Sequence, residues 1–103
     1  MVDLTGNEVI ERVKHDELTV VYVYTPLCGT CQVAKKMLTV TEAALPNLHI
    51  GMIDLNYAPH LAADYEIESV PCLLVFQRGE IIKRIYAFQS VEYLYYELKP
   101  LVS

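Results

Sequence analysis

Two thiols three residues apart, Cys28 and Cys31, with Gly29 and Thr30 between them, are the residues of this chain best equipped for chemistry. A thiolate is a strong nucleophile, and two thiols at this spacing can close a disulfide. A C-x-x-C in a chain of alternating strands and helices therefore reads as a redox motif. Ahead of it runs Thr19-Val20-Val21-Tyr22-Val23-Tyr24, β-branched and aromatic in the manner of a strand. Behind it Ala34, Met37, Leu38, Thr41 and Leu45 recur at helical spacing. The pair thus falls where a strand ends and a helix begins. Cys28 stands at or just before the first turn, where unpaired N–H groups and the positive end of the helix dipole favour a thiolate. Cys31 lies one turn further in, is expected to be more buried, and stays protonated until needed. That asymmetry makes an attacker and a resolver. Gly29 and Thr30 add little bulk, and Gly29 leaves room for an incoming disulfide.

The elements that must hold this pair follow from pattern. Thr5 and Glu8 form a capping box, and Val9, Ile10 and Val13 make an apolar stripe, so a helix is predicted from about Gly6 to His15. The strand Thr19–Tyr24 is apolar on both sides, as suits a central strand. The helix after the motif runs to about Ala44 and ends at Leu45-Pro46-Asn47. A second strand is expected over Leu48–Ile53, then a polar connection Asp54–Ala58 and a short helix from Pro59 to about Tyr65. Val70-Pro71 opens the strand Cys72–Gln77, Arg78-Gly79 turns, and Glu80–Tyr86 returns antiparallel. Ser90 caps a last helix bearing Val91, Leu94, Tyr95 and Leu98, which Pro100 is expected to stop. The order α-β-α-β-α-β-β-α gives an α/β fold, a central mixed sheet flanked by helices on both faces.

At 103 residues the chain reads as one domain, 1–103. A net charge of −5 argues against nucleic acid as a partner. No apolar run approaches a membrane span. The segment Met1-Val2-Asp3-Leu4-Thr5 lacks the basic and apolar regions of a secretory signal, so a cytoplasmic location is expected. Three cysteines, an odd number, do not make a secreted disulfide framework. A structural zinc site usually takes four ligands, and His15, His49 and His60 are scattered; no metal is assigned.

Taken together, Cys28-Gly29-Thr30-Cys31 after a hydrophobic strand, Met52-Ile53-Asp54-Leu55-Asn56, and Val70-Pro71-Cys72-Leu73-Leu74-Val75-Phe76 followed by Gly79-Glu80 resemble the thioredoxin family over nearly the whole chain. The resemblance implies the thioredoxin fold, thiol–disulfide exchange with protein substrates, and a cis bond at Val70-Pro71 beside Cys28. It also implies that the backbone of Val70 pairs with a substrate strand. The chain departs from the family pattern at several positions. Leu27 replaces the usual tryptophan, Thr30 the commoner proline, Tyr22 a buried aspartate that serves proton transfer, and Met52 the lysine facing it. Lys36 stands for a kinking proline, and Ala87 for a glycine of the substrate-facing loop.

These replacements alter tuning more than reaction type. A phenol of reference pKa about 10 is no general base near neutrality, and Tyr22 reads as a packed core aromatic. Thr30 restores a backbone N–H that proline lacks. Its donation to the Cys28 thiolate would make the disulfide more oxidising than the roughly −270 mV of thioredoxin. The leading expectation is a thiol–disulfide oxidoreductase, a protein-disulfide reductase, with Cys28 and Cys31 catalytic and Leu27, Gly29, Thr30, Val70 and Pro71 in contact with substrate. Its partners are protein disulfides and an external disulfide reductase, and it needs no cofactor beyond its own disulfide. The alternative is an adaptor module, or a thiolate metal or cluster binder using Cys28, Cys31 and Cys72; Cys72 otherwise reads as a small buried hydrophobe.

Overall fold

A computed structural model describes residues 1–102. Five strands form one sheet in the order β1-β3-β2-β4-β5, with β1 Val2–Asp3, β2 Leu18–Tyr24, β3 Ile50–Asp54, β4 Cys72–Gln77 and β5 Glu80–Ile85. The first three pair in parallel; β4 runs antiparallel to β2 and to β5. The helices are α1 Gly6–His15, α2 Gly29–Ala44, α3 His60–Asp64 and α4 Val91–Val102.

Side-chain alternation along the strands divides the interior into two layers. Val20, Tyr22, Ile50, Met52, Leu73 and Val75 face Leu38 of α2 and Leu94 and Leu98 of α4. Val21, Val23, Ile53, Cys72, Leu74 and Phe76 face Val9 and Val13 of α1 and Leu61 of α3. Strand β2 lies at the centre, all five of its inner residues buried, which is why its sequence is apolar without alternation.

The capping box at α1 is complete: Thr5 Oγ1 accepts from the Glu8 N–H at 3.1 Å and Glu8 accepts from the Thr5 N–H at 2.9 Å. Arg78 (φ 52°) and Gly79 (φ 83°) turn the β4–β5 hairpin through two left-handed residues, the pattern that matches strand twist. Ser90 Oγ caps α4 by accepting from the Tyr93 N–H at 3.0 Å.

Four expectations need correction. Strand β3 starts at Ile50, not Leu48, because the Leu48 N–H turns back onto the Leu45 carbonyl. The stretch after Asp54 is not plain loop but a 3₁₀ turn, Leu55–Tyr57. Pro100 does not stop α4, which continues to Val102. Proline's fixed φ is itself helical, and what is lost is one N–H to the carbonyl four residues back, on 71% exposed Tyr96, within reach of water. Finally, β1 was not foreseen. Its two residues carry no pattern of their own, and it is held by pairing with Gly51 and Met52 and by the Leu4 N–H on the Met52 carbonyl.

That edge depends on Gly51. A Cβ there would lie 2.3 Å from Leu4 Cδ1 and 3.1 Å from Leu4 Cγ, in a pocket where Leu4 is buried. Gly51→Ala should therefore cost about 1–3 kcal/mol, the range for overpacking a filled site. Urea denaturation checks this. The double variant with Leu4→Ala should fall well short of the summed single losses, because the two changes relieve one clash.

Candidate redox site

Strand β2 delivers the chain at Tyr24, three residues cross the surface, and Cys28 becomes the N-cap of α2. The Cys28 N–H donates to the Thr25 carbonyl at 3.2 Å, which fixes the entry into the helix. Cys28 Sγ occupies the place an N-cap oxygen takes elsewhere: it accepts from the Cys31 N–H at 3.1 Å. The two sulfurs stand at disulfide distance, with Cα atoms 5.2 Å apart. Cys28 is half-buried and Cys31 only 3% exposed, so the order of burial is the expected one. The origin of the donors is not. The backbone N–H that reaches Cys28 belongs to Cys31, and what Thr30 brings is its hydroxyl, 3.3 Å from Cys28 Sγ.

Beneath the pair, Tyr22 is fully buried and its hydroxyl donates to the Cys31 carbonyl. Its ring stacks on Tyr24 at 5.7 Å and meets Phe88 edge-on at 6.1 Å. Met52 is its partner in register on β3. Burial pushes the Tyr22 hydroxyl up to about 12. It remains protonated near neutrality and serves as a donor, as the sequence led one to expect.

The bond Val70-Pro71 is cis. Pro71 and Thr30 line one depression of about 370 Å³, so the structure brings these two site residues together. Val70 is half-buried and packs against both interior layers. Gly29 is open, with no atom within 4 Å of where a Cβ would stand, and Leu27 is 99% exposed. The sequence does not by itself mark the remaining walls of the depression: Val33, Ala34 and Met37 from α2, and Tyr86, Phe88 and Gln89 after β5. The signal was partly present. Val33 and Met37 sit four apart on the face of α2 that starts at Gly29, and Ala87 had been matched to a substrate-facing loop.

Cys72 does not join the pair. It follows Pro71 on β4 and points with Leu74 and Phe76 into the α1–α3 layer, whereas Cys31 belongs to the α2–α4 layer. The strand pleat puts the sheet between them, which removes the three-thiolate arrangement. Among the described residues no three histidine, cysteine or carboxylate side chains are grouped to hold a metal. Cys72 is fully buried, and burial pushes its thiol up to about 11. It should resist alkylation at pH 7–8 until the protein is denatured. Cys72→Ala should leave disulfide reduction unchanged and lower stability by about 1 kcal/mol, read by mass spectrometry of alkylated protein and by urea titration.

Comparison with known proteins bears on this geometry. Residues 1–99 match the family model described as Thioredoxin. The thioredoxin-like protein YusE of Bacillus subtilis is 50% identical over 84 residues, covering 82% of this chain and 79% of that protein. A thioredoxin of Chlamydia pneumoniae is 28% identical over 94 residues, covering 91% and 92%. In fold, the oxidised thioredoxin of Plasmodium falciparum superposes with a TM-score of 0.85 at 13% identity, over 100% of this chain and 99% of that one. Oxidised mitochondrial thioredoxin 3 of Saccharomyces cerevisiae gives 0.82 at 23% identity, over 97% and 94%. Among the described residues no helix is long and apolar enough to cross a membrane.

Proposed function

Because the chain belongs to the thioredoxin family, we propose that it is a thiol–disulfide oxidoreductase that reduces or exchanges protein disulfides through Cys28 and Cys31. The observation that carries this reading is the asymmetry of the pair: Cys28 at the helix N-cap, its sulfur receiving the Cys31 N–H, and Cys31 buried one turn below. A sulfur in that position is favoured as thiolate by the local donor and the helix dipole.

In the reductive direction the Cys28 thiolate attacks one sulfur of a substrate disulfide. That S–S bond breaks, a mixed disulfide forms, and the first substrate sulfur leaves and takes a proton. Cys31, once deprotonated, attacks Cys28 Sγ and closes the intramolecular disulfide, and the second substrate sulfur leaves as thiol. Two electrons have passed from the dithiol to the substrate. An external disulfide reductase restores the pair, and no further cofactor enters.

Leu27, Gly29, Thr30, Val70 and Pro71 form the contact surface in this reading, with the Val70 backbone holding an extended substrate segment. The workplace is the cytoplasm. Reduction of insulin in the presence of dithiothreitol tests the proposal: turbidity should develop faster with the protein than without it. An unchanged rate would favour a binding module instead, a reading that the replacement of the buried carboxylate and its lysine by Tyr22 and Met52 keeps in contention.

A further inference from the structure

We propose that the side-chain hydroxyl of Thr30 is a catalytic donor to the Cys28 thiolate and biases this pair toward accepting electrons. The proposal rests on the reading of Cys28 as the attacking sulfur. Thr30 Oγ1 lies 3.3 Å from Cys28 Sγ, and the Cys31 N–H reaches the same sulfur at 3.1 Å. An ionised sulfur has no proton to give, so in the reduced state the Thr30 contact has one direction, hydroxyl to sulfur. Both contacts come from within three residues of Cys28, so cleaving the S–S bond leaves them available to the freed sulfur.

Among the described residues, neither the first turn of α2 nor the adjoining depression offers a charged side chain for this work. The first turn of α2, Gly29-Thr30-Cys31-Gln32, carries neither a basic nor an acidic side chain, and the depression shared by Thr30 and Pro71 is walled by Val33, Ala34, Met37, Tyr86, Phe88 and Gln89 without a cation. Neutral donors therefore carry the stabilisation, and Thr30 supplies the one that a substitution can remove. Donation to an anion is stronger than donation to a neutral acceptor. The disulfide carries no charge for the hydroxyl to stabilise. Its donation therefore lowers the free energy of the product formed when the pair takes up two electrons, with Cys28 as thiolate and Cys31 as thiol. The oxidised pair becomes correspondingly more oxidising.

Thr30→Val keeps the shape and removes the hydroxyl; Thr30→Ser keeps the hydroxyl. Thr30 is exposed, so neither change disturbs the core. At a pH below the Cys28 titration midpoint, iodoacetamide should alkylate Cys28 of reduced Thr30→Val roughly tenfold more slowly than wild type, with Thr30→Ser within about twofold. In equilibrium with glutathione, the constant favouring the reduced pair should fall by about tenfold in Thr30→Val, a shift of about 30 mV toward a more reducing pair. Equal alkylation and equal equilibria for Thr30→Val and wild type would overturn the proposal. So would a Thr30→Ser variant as impaired as Thr30→Val, which would assign the effect to bulk. If wild-type Cys28 alkylates like an ordinary thiol, the broader functional reading fails, while the glutathione equilibrium still reports on Thr30.

Discussion

Cys28→Ser should abolish insulin reduction, and Cys31→Ser should arrest the reaction halfway. A serine hydroxyl at position 28 is not ionised near neutrality, and the helix N-cap that favours a thiolate does too little to change that. The expected loss is at least about 10³-fold, the scale seen when a catalytic nucleophile is removed. Cys31→Ser keeps the attacking sulfur and removes the resolving one. It should form a mixed disulfide with substrate that persists on a non-reducing gel and disappears on addition of dithiothreitol. Residual reduction by Cys28→Ser above a tenth of wild type, or no trapped adduct with Cys31→Ser, would contradict the assignment of roles.

The second large effect concerns release of that adduct in the wild-type protein. Cys31 must lose its proton before it attacks, and no carboxylate stands at position 22 to take it. Tyr22 donates to the Cys31 carbonyl, and its hydroxyl is pushed up to about 12, so it accepts no proton near pH 7. The attacking species is the thiolate, whose fraction rises about tenfold per pH unit below the thiol's own titration. The release rate should therefore climb with that slope from pH 5 to 8, without the plateau an internal base would produce. A positioned base is worth roughly 10²–10⁴-fold, so mixed disulfides of this chain should outlive those of a protein that has one by a factor of that order. Rapid acid quench of a mixed disulfide across this pH range measures it. Tyr22→Phe should keep the slope, because the hydroxyl is a donor and not a base. A pH-independent release, or a slope lost in Tyr22→Phe, would show that Tyr22 moves the proton after all.

Why the site was legible in the sequence, and where legibility ended, has a physical answer. The strand before Cys28 and the helix after it are governed by local periodicity, and so the placement of the pair could be read directly. Tyr22 was recognisable as a core residue with a satisfied hydroxyl because a buried phenol must find a partner; that the partner is the Cys31 carbonyl depends on how α2 lies across β2. Which donor reaches Cys28 was misassigned. Which of the nearby amide and hydroxyl groups reaches the sulfur is set by how the first turn of α2 winds, and spacing alone does not resolve it. Cys72 shows the opposite limit. Its distance along the chain from the pair is uninformative, and one step of strand pleat decides that it faces α1 and not α2. The strand β1 and the walls contributed by Phe88 and Gln89 belong to contacts between distant segments, which no window of local pattern contains.

The partition of sulfurs by the sheet has a consequence for life under oxidants. A chain with three thiols in one chamber could scramble among three pairings, two of them dead ends. Here a peroxide or an oxidised partner meets one half-buried sulfur, Cys28, whose buried neighbour Cys31 gives one correct closure, and the third stays behind a wall of valine and leucine. Repeated cycling should thus leave it unspent, a silent counter that registers only when the fold itself has opened.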